Sequence, residues 1–216
     1  MKIVVFGASG RMGIKVVKQA LEAGHTVIAF LRTPSKIVIQ HPMLTLFQGD
    51  VMDAAAVGNA IAGQEVVFSV LGPTRPPVSN MMETAAKNIV VAMQKHGLRR
   101  IISTTGAGVP QPEDQPKVAD RLVNAALNLL QKNFVLDASA NVKVIQASDL
   151  DWTIARFPHL IDGAHTGKYR VTYIGTDSGA QISRANGADF SLKELIVKKR
   201  LRKAPVVSYN PGGPYV

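Results

Sequence analysis

Residues 7–13 read GASGRMG, three glycines at intervals of three directly behind the apolar run KIVVF. A glycine triplet alone fits any tight turn, so its surroundings decide its meaning. Upstream, Lys2 to Ala8 is apolar and rich in β-branched residues, the composition of a buried strand. Downstream, Met12 to Ala23 carries apolar residues at helical spacing and closes on Gly24. A glycine loop between a strand and a helix is where backbone N–H groups and the positive helix end meet a pyrophosphate. The spacing is G-x-x-G-x-x-G, a wider loop than the G-x-G-x-x-G form.

The same alternation continues along the chain. Short apolar runs follow at Thr26 to Arg32, Met43 to Asp50, Glu65 to Gly72, Arg99 to Gly106 and Asp151 to Phe157. Most are apolar on both faces, as strands inside a parallel sheet are. Helical stretches lie between them at Asp53 to Ala62, closed by Gly63, and at Ser79 to His96, closed by Gly97. Two more follow, up to about Ser148. The pattern predicts an α/β fold with a doubly wound parallel sheet in a single domain, 1–216, in which about 158–216 supply the substrate side. The segment GVPQPEDQP (108–116), with three prolines, reads as a mobile loop after the fifth strand. Beyond the sixth strand the region 163–187 is glycine-rich, with one expected strand at Tyr169 to Ile174. A last helix from Ala188 to about Arg202 and a short run VVSY complete the chain.

Composition sets limits on function. A chain of 216 residues, 46% hydrophobic, can bury one sizeable core. The absence of cysteine excludes disulfides, thiolate zinc sites, iron–sulfur clusters and cysteine nucleophiles, and an intracellular, cytoplasmic address fits best. No apolar run approaches the roughly 18 residues of a membrane span, so a soluble chain with no export signal is expected. Half of the net charge of +10 comes from residues 193–203, KELIVKKRLRK, with six cations against one acid. A nucleic-acid or membrane patch is one reading of such a cluster. A solvated helix face is the favoured one, because no aromatic residues interleave with the charges as a stacking platform requires.

In open parallel sheets ligands bind beyond the carboxyl ends of the strands. About 20 residues past the glycine loop, where an acid would bond the ribose of NAD, the chain has Leu31, Arg32 and Thr33. An arginine there suits the 2′-phosphate of NADP, with Arg11 flanking it; the plainer reading is a charge at a strand end. Asp50, before Val51, either accepts from the adenine amino group or caps the next helix. Leu71 and Gly72 let the backbone pass close to a cofactor, and Thr74 and Arg75 either approach its pyrophosphate or nicotinamide or simply belong to a proline-stiffened loop, GPTRPP. The segment Ser103 to Gly106 and Phe157, Pro158 and His159 occupy two further strand ends. His159 is either a pocket residue or a structural one.

Taken together, GASGRMG, FLR, QGDV, SVLG, NIVVAMQKHG, RRIIST, SDLDWTIARFPHLIDG and ISRANGADF resemble the NAD(P)H-binding branch of the atypical short-chain dehydrogenase/reductases. That branch includes the flavin reductase also known as biliverdin-IXβ reductase and the NmrA-like regulators. The resemblance implies a Rossmann fold with NADP(H) held along Gly7, Gly10, Gly13, Arg32, Asp50 and Leu71 and with Pro158 beside the nicotinamide; Ser9, Arg11, Met12, Thr33, Val51, Gly72, Thr74, Arg75, Ser103 and Thr104 complete the candidate cofactor-binding set. It places Thr105 where the family has its active-site serine, and His159 beside the nicotinamide. No metal site is implied. It also exposes a departure: the positions of the proton-donating Tyr-x-x-x-Lys hold Phe134 and Ala138. The chain is therefore expected to reduce a flavin, quinone or similar conjugated acceptor rather than a simple ketone, or else to act as a non-catalytic NADP(H) sensor. The expected partner is a small molecule, with no nucleic acid and no membrane, and the expected assembly is a monomer or small homo-oligomer.

Overall fold

The computed structural model of the chain describes residues 1–74, 76–118, 121–122 and 131–210. In chain order its elements are β1 (Lys2–Phe6), α1 (Arg11–Glu22), β2 (Thr26–Leu31), β3 (Leu44–Gln48), α2 (Ala54–Ile61), β4 (Val66–Ser69), α3 (Met81–Lys95) and β5 (Arg100–Gly106). Then come α4 (Lys132–Gln146), β6 (Asp151–Phe157), β7 (His159–Ile161), β8 (Arg170–Thr172), β9 (Gln181–Ser183), α5 (Arg184–Val197) and β10 (Val206–Ser208). Of the two helical stretches expected up to Ser148, the second is α4; the first falls largely outside the described residues.

The main sheet has the order β3-β2-β1-β4-β5-β6-β10-β8. Every pairing in it is parallel except β10 with β8. Strand alternation explains why both faces must be covered. Ile3 and Val5 of β1 enter one apolar cluster with Val16, Val17 and Ala20 of α1 and Phe190 of α5. Val4 and Phe6 enter the other, with Val57 of α2, Ile89 and Met93 of α3 and Val142 of α4. All of these side chains are buried, and each large one contributes on the order of 1.5–3 kcal/mol through removal from water. β3, by contrast, is mostly exposed, as befits the edge of the sheet.

Three expectations change. The proline-rich loop is fastened rather than loose. Arg156 of β6 has a fully buried side chain, and its Nη1 and Nη2 donate to Asp114 Oδ2 and Oδ1 at 2.7 and 2.6 Å. Gln115 N also donates to the Ile174 carbonyl at 2.8 Å, so the loop is tied to the sheet and to the segment after β8. The last helix begins at Arg184, not Ala188, because the Ser183 hydroxyl accepts from Asn186 N and caps it there. That helix also stops at Val197, where Lys198 turns left-handed with φ 47°. The basic segment is therefore split between a helix and the turns after it, and forms no single face. Most of its cations are engaged: Lys193 with Asp189 at 2.7 Å, Arg200 with Glu194, Arg202 with the Asp149 carbonyl at 2.8 Å and Lys203 with Glu113 at 3.3 Å. Finally, the glycine-rich region holds a second short strand, β9, which pairs in parallel with β7 in a separate two-stranded sheet. Three-residue strands are too brief for periodicity to reveal.

Candidate active site

The glycine loop is built by contacts that side chains would prevent. Gly7 has φ +84°, and a Cβ there would stand 2.6 Å from the Val70 carbonyl oxygen. One on Gly13 would stand 2.1 Å from the Gly7 carbonyl oxygen and 2.8 Å from Ala8 Cα. Gly10 closes the turn by donating its N–H to the Gly7 carbonyl at 3.0 Å, while its own carbonyl accepts from Ile14 N at 2.9 Å. α1 therefore starts at Arg11 with the N–H groups of its first turn lacking intrahelical acceptors. No side chain caps it and no acid lies in that turn. An anionic group satisfies these donors and the positive helix end together, so the cradle fits a pyrophosphate.

The loop sits at the switch in strand order between β1 and β4, the place where doubly wound sheets open a crevice. A cleft of about 880 Å³ lies there, in the size range of small-molecule sites. Arg11, Met12, Leu71, Gly72, Thr104, Thr105, Pro158 and His159 all line it. Gly7, Ser9, Gly10 and Gly13 form the turn beneath Arg11. Arg32 and Thr33 follow β2 and are exposed, and Asp50 and Val51 follow β3. Asp50 is not the helix cap: its Oδ1 accepts from Met52 N at 2.9 Å, whereas Asp53 caps α2 by accepting from Ala55 N and Ala56 N at 2.8 and 3.1 Å. The Val51 carbonyl accepts from Asn88 Nδ2 at 2.9 Å, which holds the turn after β3 against α3. Ser103 is buried within β5, opposite Ser69 and Ile154. The Thr74 hydroxyl donates to the Pro76 carbonyl at 2.8 Å, inside its own loop. Arg75 lies outside the described residues.

Phe134 and Ala138 of α4 are in the cleft wall. The same helix has taken on a supporting task. α3 opens at Asn80 with no side-chain cap of its own. The Asp137 carboxylate accepts instead from Met82 N and Glu83 N at 3.0 and 2.9 Å, and Asn141 Nδ2 donates to the Met82 carbonyl at 2.9 Å. A carboxylate at the start of α3 also complements its dipole. Among the described wall residues there is no tyrosine, lysine or carboxylic acid.

Sequence reasoning missed the far wall: Gln131, Asn141, Ile174, the 178–180 segment and Arg184. They come from the start and the interior of α4, a glycine-rich loop and the N-terminus of α5, and no local spacing gathers them. The single legible clue was the Ser-x-x-Asn sequence at 183–186, a helix start that brings Arg184 to the cleft.

A parallel sheet reversing its order beside a glycine cradle defines a dinucleotide-binding α/β protein. Over residues 7–196 the chain matches the family described as NAD(P)H-binding, and it belongs to that family. The resemblance that GASGRMG and its companion stretches carry is thereby borne out. The 3-beta-hydroxysteroid dehydrogenase of Mycolicibacterium neoaurum is 31% identical over an aligned stretch of 120 residues, covering 50% of this chain and 32% of that protein, so the chain spans about a third of that relative's length. A short-chain dehydrogenase/reductase from Veillonella parvula, solved in complex with NADP, superposes with a TM-score of 0.80 at 20% identity, covering 100% of this chain and 96% of that one. An anaerobillin reductase from Escherichia coli O157:H7 superposes with a TM-score of 0.81 at 20% identity, covering 100% of both chains. At these identities the two structures show likeness of fold. No helix among the described residues is long and apolar enough to cross a membrane.

Proposed function

We propose that the protein is an NADPH-dependent reductase that passes hydride to a flavin, quinone or similar conjugated acceptor. The observation carrying this reading is the cleft wall itself, which among the described residues has no tyrosine, lysine or carboxylic acid, and where Phe134 and Ala138, the positions the resemblance assigns to a proton-donating Tyr-Lys pair, line the cleft. When bound, the cofactor supplies the hydride. The chain's own residues bind and align: the α1 N-terminus takes the pyrophosphate, Arg32 takes the 2′-phosphate, and Leu71, Gly72, Thr104 and Pro158 flank the cleft. Thr105 and His159 position the acceptor, and the apolar surface of Phe134 supports a flat ring. Acceptors of this kind need little beyond stacking and a proton from water, so proximity is the main contribution of the protein. The NADP complex and the anaerobillin reductase among proteins of this fold support the reading. The sensor alternative rests on two features, the absent Tyr-Lys pair and the basic segment; the second is weakened, since the segment is split between a helix and turns and largely paired. We place the protein in the cytoplasm, where NADPH is regenerated, working as a monomer or small homo-oligomer on a small molecule.

The test is a steady-state screen of NADPH consumption with FMN, quinones and redox dyes beside simple aldehydes and ketones. Turnover with the first group and none with the second is expected. Tight NADPH binding with no acceptor turned over would reinstate the sensor.

A further inference from the structure

Arg184 is a cation in the cleft for which the cofactor-binding features have no use. It opens α5 directly after β9, and β9 is held against β7, so the guanidinium lies on the His159 side of the cleft. The side chain is only 8% exposed. Its Nη1 donates to Asp162 Oδ1 at 2.9 Å, its one protein partner among the described residues, and Asp162 itself is 73% exposed and stands outside the cleft wall. A guanidinium carries five N–H donors in a planar fork. One carboxylate oxygen on one nitrogen leaves the other edges of the fork open to a ligand in the cleft that Arg184 lines. The charge around it points the same way. Arg11, Arg184 and His159 line the cleft, with no acidic side chain among the described wall residues. Arg11 belongs to the glycine loop and the cofactor end. Arg184 shares the cleft wall with Ser178 and Ala180, outside the residues assigned to the cofactor.

We infer that Arg184 is a specificity-determining contact for an anionic oxygen group, phosphate or carboxylate, carried at the edge of the conjugated acceptor. The inference rests on the reductase reading for the place of the acceptor, and its test separates the two. The planar fork meets either anion with paired, charge-assisted hydrogen bonds. Such contacts are worth roughly ten- to a hundred-fold in affinity.

Two matched pairs of probes isolate the anion. FMN and riboflavin share one ring system and differ in a phosphate; biliverdin and its dimethyl ester differ in carboxylate charge. Equilibrium binding of each is measured on the protein saturated with NADP⁺, by fluorescence quenching for the flavins and absorbance for the tetrapyrroles. At least one pair is expected to favour the anionic member by tenfold or more, and the pair that does so identifies the anion. Arg184→Met should remove that preference and Arg184→Lys should keep part of it. Both should leave the affinity for NADPH and for the uncharged partner unchanged, which also shows that the variants are folded. Absence of an anion preference in both pairs, or of any binding, overturns the inference. So does a loss of NADPH affinity in Arg184→Met, which would put Arg184 on the cofactor. An anion preference without turnover would overturn the reductase reading alone.

Discussion

Replacing Asp114 by alanine tests what holds the acceptor side of the cleft together. The Asp114 carboxylate faces a guanidinium that is 0% exposed, and it also accepts from Gln111 N at 2.8 Å and Ile174 N at 3.1 Å. Arg156 has two other bonds, from Nε to the Ala204 carbonyl and from Nη1 to the Val109 carbonyl, but no second counter-charge among its described partners. Asp114→Ala strands a buried cation and two backbone donors. Removing one side of a buried pair costs about 3–5 kcal/mol. With a urea slope of about 2 kcal/mol per M, the unfolding midpoint followed by circular dichroism should fall by roughly 1.5–2.5 M. The pH dependence supplies a second signature. Burial pushes the Asp114 carboxyl upward, but the hydrogen bonds and charge of Arg156 outweigh it and hold the group below its ordinary value. The stabilisation is therefore complete above the unfolded carboxyl pKa of about 4 and is lost as pH falls through the lower folded value. The gap between wild type and Asp114→Ala should close in acid accordingly. Adding Arg156→Met should recover part of the loss, since no charge is then left buried. A loss under about 1 kcal/mol at neutral pH, constant into acid, would refute the assignment of this pair as the fastening.

Arg32→Ala should weaken NADPH binding roughly ten- to a hundred-fold and leave NADH unchanged, as followed by cofactor fluorescence; equal effects on both would remove Arg32 from the 2′-phosphate. Gly13→Ala must push its Cβ against the Gly7 carbonyl, so both cofactors should lose affinity together while far-ultraviolet circular dichroism stays near native. Retained binding would show that the cradle is not where the pyrophosphate rests. Thr105→Ala and His159→Ala should keep measurable flavin reduction in stopped flow, because losing a positioning group costs less than the roughly 10² to 10⁴ in rate that an essential acid supplies. Complete loss in either variant, with NADPH still bound, would reveal a proton relay.

What the sequence determined alone was the architecture and the cofactor end. Strands buried on both faces announce themselves as apolar runs, and helices as a 3.6-residue period ending in glycine. The cradle needs three glycines within seven residues, so its chemistry is local and legible. That Phe134 and Ala138 share one face of a helix was legible for the same reason, since they are four residues apart, and both do line the cleft. Tertiary structure decided what depends on long-range closure. The buried partner that turns GVPQPEDQP from a loose segment into a fastened one lies 42 residues away on β6. Asp137 reads as an ordinary helix charge until α3 is packed beside it, 55 residues distant in sequence. The far wall of the cleft is assembled from β7, the 178–180 segment and the first residue of α5, none of them long enough to show a period. Their arrangement follows from which backbone groups and charges can find partners once the sheet has formed, and those partners are neighbours only in three dimensions.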